Sequence, residues 1–331
     1  MNDHVYDLLK WSVLAGGNSG GGGGGESGDV SAADVLRGII DRSITEISDS
    51  TVTKVGSGAF QGCAALTSVN FPNAKSVESS AFYSCAALTS VNIPNATRMG
   101  SQAFYKCTTL TSVDFPKVTE IDSSVFSSCE KLTTVNLPNA IGSINSEVNN
   151  LFYRCTSLEV LSLPKLQTTA TGTFSQCSSL TTLDIPEVTN LAYQAVYYCQ
   201  KLTSLNAPKV TTLATDALYQ CGLEKVDFPS LTSIGSRAFY LATKLQTLIL
   251  RSETLCTLSS SDAFQYGAFS SYAKNGTKLV VPRVLTSEYP NATNWSSVLT
   301  GNANNKVLAL EDYTVDGTIT GEIDWDKLNA A

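Results

Sequence analysis

One histidine, His4, serves the whole 331-residue chain. It sits near the start, so a Ser–His or Cys–His nucleophile pair cannot be assembled within the body of the protein. Charge is also scarce: 15% of residues are charged, below the usual quarter, so the polar surface must be built from Ser, Thr and Asn. What charge there is sums to −7. A nucleic-acid or anionic-membrane surface needs a basic face, and the sequence supplies none. No apolar run reaches the ~18 residues of a membrane span. There is no C-x-x-C pair for zinc and no Gly-Lys-Ser/Thr for a phosphate loop. No metal, cofactor or catalytic residue is assigned.

What the chain has is repetition. The stretch Ala59–Pro72, A-F-Q-G-C-A-A-L-T-S-V-N-F-P, returns almost unchanged from Ala81, Ala103 and Val125. Cys63, Cys85, Cys107 and Cys129 are 22 residues apart. After one step of 26, Cys155, Cys177, Cys199 and Cys221 are again 22 apart. The prolines from Pro72 to Pro229 keep nearly the same beat. A fixed period in the twenties predicts a solenoid whose coils touch only their neighbours. Leu66-x-x-Val69-x-Phe71 has leucine-rich-repeat spacing. Val69 and Phe71 turn inward on a short strand, Ser68 and Asn70 outward, and Pro72 stops it. One coil cannot stand alone, because ordering its residues costs more than five or six buried side chains return. Stacking must supply the rest, and both ends need caps. Phe60, Phe82, Phe104, Phe126, Phe152, Phe174 and Phe239 should form an internal column, with Val196 and Leu218 filling two of its slots.

The pattern A-F-x-x-C-x-x-L-T-S-V-x-F-P resembles the bacterial leucine-rich repeats of the BspA type, over about residues 45–282. The resemblance implies an α/β repeat solenoid: a right-handed leucine-rich-repeat coil of about ten 22-residue turns, with a parallel β-sheet on one face. Such repeats are known mainly from surface and secreted proteins that adhere to other proteins or cells. An adhesin-like recognition module with a protein or surface-glycan partner is therefore expected, not an enzyme. The alternative is a structural part of a phage tail or surface assembly.

Along the chain, residues 1–15 read as a short amphipathic helix with Val5, Leu8 and Leu9 on one side, and oligomerisation through it is conceivable. It does not read as a signal peptide, since Asp3 and Asp7 stand where basic residues belong. The resemblance implies the exterior or a cell or virion surface; the missing leader points to the cytoplasm, a lysis-released virion or a trimmed chain. Residues 16–28 are a Gly-rich linker. Residues 29–48 are expected to be a helical N-cap, 49–282 the solenoid, and 283–331 a C-terminal cap. That last segment resembles tails that close such arrays in Gram-positive gut bacteria and their prophages. Its Asp316-Gly317 predicts an exposed hairpin. Extra residues within 142–150 predict a bulge, and Gly222 marks a one-residue deletion.

The repeat also sets side chains in columns. Neighbouring cysteines would lie roughly 4.8 Å apart, wider than the ~3.8 Å Cβ spacing of a disulfide. Eight buried, reduced thiols are expected, and Cys256, out of register, should be the accessible one. Asn70, Asn92, Asp114, Asn136, Ser162, Asp184, Asn206 and Asp227 form the outward, concave strand column. It is either a ligand-binding face or a ladder bonded only to itself and water. Asp114, Asp184 and Asp227 leave a carboxylate pair two coils apart conceivable, about 9–10 Å, but no pocket is implied. Tyr83, Tyr105, Tyr153, Tyr197, Tyr219 and Tyr240 form a second column. They either stack among themselves or grip a protein or sugar through ring and hydroxyl.

Overall fold

A computed structural model of the chain describes residues 29–30, 44–142, 149–273 and 275–331. The expected N-terminal helix, the Gly-rich linker and the helical part of the N-cap (31–43) lie outside the described residues. So does most of the 142–150 bulge.

The protein is a parallel β-solenoid of about nine turns of about 22 residues. It divides into two compact units, one ending at Leu163 and the other beginning at Pro164. In the first unit the strands are β1 (Asp29–Val30), β2 (Glu46–Ser48), β3 (Lys54–Val55), β4 (Ser68–Asn70), β5 (Ser76–Val77), β6 (Ser90–Asn92), β7 (Arg98–Met99), β8 (Ser112–Asp114), β9 (Glu120–Ile121), β10 (Thr134–Asn136) and β11 (Val160–Ser162). Each coil thus carries two strands. The three-residue strands pair as β2–β4–β6 and β8–β10, the first ladder; the two-residue strands pair as β1–β3–β5–β7–β9, the second. The first ladder is the one the L-x-x-V-x-F spacing predicts. The span expected as a helical cap carries strand at both its ends, β1 and β2.

Among the described residues the coils up to Leu258 hold no helix, and the little helix the protein has begins at Ser261. The rest of each coil is tight turns, because two residues per turn hold a left-handed backbone: Ser80 and Ser84 at φ 58°, Gln102 and Lys106 at φ 60° and 58°. Gly58 and Gly62 take these places in an early coil. Helix cannot propagate through such kinks. The turns instead bond to the next coil, Phe60 N–H to Ala81 O at 2.7 Å and Phe82 N–H to Ala103 O at 2.8 Å.

The interior follows the repeat. Ala59, Phe60, Cys63, Leu66, Val69, Phe71, Ala74 and Val77 are all buried. The phenylalanines stack as expected, Phe60–Phe82 at 5.2 Å, Phe82–Phe104 at 5.1 Å, Phe104–Phe126 at 5.8 Å and Phe126–Phe152 at 5.6 Å. The thiols do more than fill space. Cys85, Cys107, Cys129 and Cys155 donate S–H to the Phe60, Phe82, Phe104 and Phe126 carbonyls of the preceding coil at 3.0–3.2 Å. Burial pushes the Cys129 thiol up to about 12, so it stays protonated and can donate. The threonine of L-T-S serves the turn: Thr67 Oγ1 donates to Thr45 O, and Thr89 Oγ1 to Thr67 O. A recurring polar residue beside the core is thereby satisfied.

The second unit holds β12 (Thr182–Asp184), β13 (Asn190–Leu191), β14 (Ser204–Asn206), β15 (Thr212–Leu213), β16 (Lys225–Phe228), β17 (Ser233–Ile234), β18 (Thr247–Leu250), β19 (Thr257–Leu258), β20 (Lys278–Val281), helix α1 (Trp295–Leu299), β21 (Lys306–Ala309) and helix α2 (Trp325–Ala330). The first ladder does not stop at 282, since β21 pairs parallel with β20. Cys256 is not accessible: it is 1% exposed, its N–H donates to Tyr289 Oη, and its carbonyl accepts from Trp295 Nε1 at 2.7 Å. All nine cysteines are buried. In the C-terminal tail the two arms around Asp316-Gly317 run antiparallel, with Val315 N–H donating to Glu322 O and Asp324 N–H to Tyr313 O, both at 2.8 Å. Thr314 and Ile323 form a single antiparallel bridge around a wide loop, Gly317 takes φ 73°, and α2 follows. The Asp316 carboxylate accepts from Thr318 N–H and Oγ1–H, a local turn at the tip of that loop.

Candidate interaction surfaces

Three surfaces lie where the columns emerge. The first is the outward column of the first ladder. Parallel pairing in register brings its members side by side: Asn70 opposite Asn92, Asp114 opposite Asn136, Asp184 opposite Asn206. Each amide directs an N–H along the ladder itself. Asn70 Nδ2 donates to Ser48 Oγ at 2.8 Å, and Asn92 Nδ2 to Asn70 Oδ1 at 2.7 Å. Asn136 donates to Asp114 and Asn206 to Asp184, both at 2.7 Å. Asp227 is gripped by Arg251, with Nε and Nη2 contacts of 2.6–3.0 Å. Ser162 is exposed on β11. The column is thus bonded along its own length. Among the described residues no cluster of His, Cys, Asp and Glu could hold a metal.

The second surface is the tyrosine column. In the first unit Tyr83 and Tyr105 stack at 4.9 Å, with the Lys106 ammonium over the Tyr105 ring. Ser127 takes the slot between Tyr105 and Tyr153. In the second unit the predicted Tyr197, Tyr219 and Tyr240 come together, 4.7 and 4.9 Å between successive rings. Three further tyrosines lengthen the stripe: Tyr198 packs on Tyr197 at 4.5 Å, Tyr266 on Tyr240 at 5.4 Å, and Tyr272 on Tyr266 at 5.3 Å. Tyr266 and Tyr272 are 39% and 59% exposed. Sequence reasoning missed them because they fall outside the 22-residue register; a count of Tyr near each turn would have found them. Partial desolvation first, then neighbouring tyrosines, pushes Tyr197 up to about 12. The phenol therefore remains a hydrogen-bond donor. Beside the row, buried Asp216 holds Arg237 in a two-point ion pair at 2.7 and 2.8 Å.

The third surface is one the sequence did not reveal. On β18, β20 and β21 the outward column reads Ile249, Val280 and Leu308. The tail folds over it: Ile249 and Val280 are buried with Leu310, Ile323 and Leu328, and Tyr313 and Ile319 pack alongside. Polar contacts pin this cover. Arg251 Nη1 donates to Ile319 O and Gly321 O at 2.8 and 2.7 Å. Lys278 Nζ donates to Leu328 O and Asn329 O at the C-terminal end of α2, where a cation is favoured. No helix is long and apolar enough to cross a membrane among the described residues.

Residues 41–159, 120–246 and 168–273 match the sequence profile described as BspA type leucine rich repeat region, in six copies. No curated protein matches the chain. Among solved structures, a leucine-rich repeat protein from Bacteroides ovatus is similar, with 22% identity and a TM-score of 0.52. The similarity covers 81% of this chain and 61% of that one, so the chain spans less than two thirds of that relative. A leucine rich cell surface protein from Faecalibacterium prausnitzii A2-165 is also 22% identical, over 88% of this chain and 85% of that one, with a TM-score of 0.47.

Proposed function

Because the chain belongs to the BspA-type leucine-rich repeat family, whose repeats serve as interaction modules, we propose that it is a non-enzymatic recognition module that binds a protein partner outside the cell. The observation that carries the reading is the continuous stripe Tyr198–Tyr197–Tyr219–Tyr240–Tyr266–Tyr272. Tyrosine brings large apolar area with few rotatable bonds and a hydroxyl at its tip, the combination that dominates protein-binding surfaces. The stripe outranks the Asn column because it offers aromatic anchors, whereas that column offers none and already directs one amide N–H of each Asn along the ladder. Burial makes these thiols tolerable in an oxidising exterior, since it keeps them from exchange. The phage-tail alternative rests on residues 1–28, outside the described residues, and no observation favours it.

The test is binding of labelled protein to whole gut-type bacterial cells and to immobilised host matrix proteins. The exposed pair Tyr266→Ala/Tyr272→Ala should weaken saturable binding at least about tenfold, the scale of an aromatic hot spot. Asn92→Lys should leave it unchanged. Loss with Asn92→Lys alone would move the site to the ladder face, and binding indifferent to both variants would refute the tyrosine site.

A further inference from the structure

The first ladder breaks within the second unit. β14 ends one sheet and β16 begins the next, β16–β18–β20–β21, with no pairing between them. The second ladder runs through the same coils unbroken, β13–β15–β17–β19. The break coincides with the deletion at Gly222. Its N–H donates to Cys199 O at 3.2 Å, and a Cβ there would lie 2.3 Å from Gln200 O. The shortened turn is drawn against the preceding coil. Only glycine allows that approach.

The break opens a groove of about 320 Å³, near the lower end of small-ligand sites. Ser204 and Asn206 line one side, Lys225 and Asp227 the other, and Trp325 of α2 forms a wall. Trp325 is 36% exposed, and the Lys225 ammonium stands 4.8 Å from its ring centroid. Asp227 is neutralised by Arg251. Among the described residues no carboxylate forms an ion pair with Lys225. Lys225 heads a row, through Thr247, with Lys278 and Lys306 in register on β20 and β21. Burial, then these two neighbouring amines, holds the Lys278 ammonium below its ordinary range. The groove thus sets the Lys225 ammonium beside an aromatic wall, hydroxyl and amide groups, and strand edges that have no ladder partner.

We propose that this groove is a binding subsite for an acidic saccharide. The sugar ring packs on the Trp325 indole, its carboxylate meets Lys225, and its hydroxyls bond Ser204, Asn206 and the open strand edges. A peptide would want apolar pockets for its side chains, and the lining offers a single aromatic. The subsite is independent of the tyrosine stripe, none of whose members lines it.

The experiment follows the indole N–H signals of the full chain by proton–nitrogen correlation spectroscopy. The three tryptophans give three signals, and Trp325→Phe assigns the one that matters. The probes are a glucuronate-terminated disaccharide, its neutral counterpart and a Glu-rich pentapeptide. The acidic disaccharide should shift the Trp325 signal saturably. Its affinity should fall about tenfold in Lys225→Gln and fall in high salt. Tyr266→Ala/Tyr272→Ala should leave it unchanged, so failure here and failure of the tyrosine site read out separately. No saturable shift with the acidic sugar, equal response to the neutral sugar, tighter binding of the pentapeptide, or an unchanged affinity in Lys225→Gln would each overturn the proposal.

Discussion

Asn70 and Asn92 in one unit, and Ile249 and Val280 in the other, occupy the same outward position of the same kind of strand. The first pair is bonded to its neighbours and left open. The second is fully buried under the C-terminal tail. Backbone and register are alike, so the difference lies in side-chain chemistry alone. An outward amide can satisfy itself along a ladder whose rungs repeat in register. An outward isoleucine cannot, and it gains only by being covered. The cover doubles as an end to the exposed apolar column, the role a terminal cap must fill.

Buried thiols occur in both units, so the largest expected effect is one that strikes them together. Burial pushes Cys129, Cys221 and Cys256 from 9.0 up to about 12. For a group whose folded value is raised, the stability it lends is fully present below the unfolded value of 9.0. It is lost as pH rises through about 12. Each tenfold weakening of a thiol's acidity on folding is worth on the order of 1.4 kcal/mol, and several thiols act at once. Circular dichroism should therefore show full stability up to about pH 9 and cooperative unfolding beyond it; a flat profile to pH 12 would refute the S–H donor role. The contrast between the two faces must be read below that range.

There, Ile249→Asp should break the covered face. An uncompensated charge under the tail costs about 3–5 kcal/mol, and trypsin should then cleave rapidly at Lys327. Persistent protection of Lys327 would mean that the tail is held by its polar pins rather than by apolar burial. The smallest effect belongs to the same aspartate on the open face. Asn92→Asp loses one amide donor to Asn70, about 1 kcal/mol. A cost equal to that at Ile249 would erase the distinction between the regions.

The repeat unit was plainly legible. The inward positions, the phenylalanine column and the strand at Ser68–Asn70 all follow from a 22-residue beat of apolar residues. The second ladder was less visible, because its strands are two residues long and offer no alternation to detect. The turns were hidden for a similar reason: the left-handed positions hold Ser, Gln and Lys, which carry no glycine signature. Of the candidate surfaces, the Asn column and three tyrosines of the stripe could be read from register. Tyr266 and Tyr272 could not, since they reach the stripe from a coil whose length has changed. Cys256 shows the limit from the other side: off the beat it looked exposed, yet Trp295 and Tyr289, 39 and 33 residues further on, enclose it.

The sequence by itself determined the coil, because identical units stacked in register repeat the same local contacts, and local contacts are written in local order. Only the tertiary structure decided what happens where the units stop being identical. The tail reaches back from Ile323 and Leu328 to Ile249, a pairing no period encodes. The groove beside Trp325 forms where β14 and β16 do not pair and the last helix of the tail folds alongside, a consequence of backbones meeting in space.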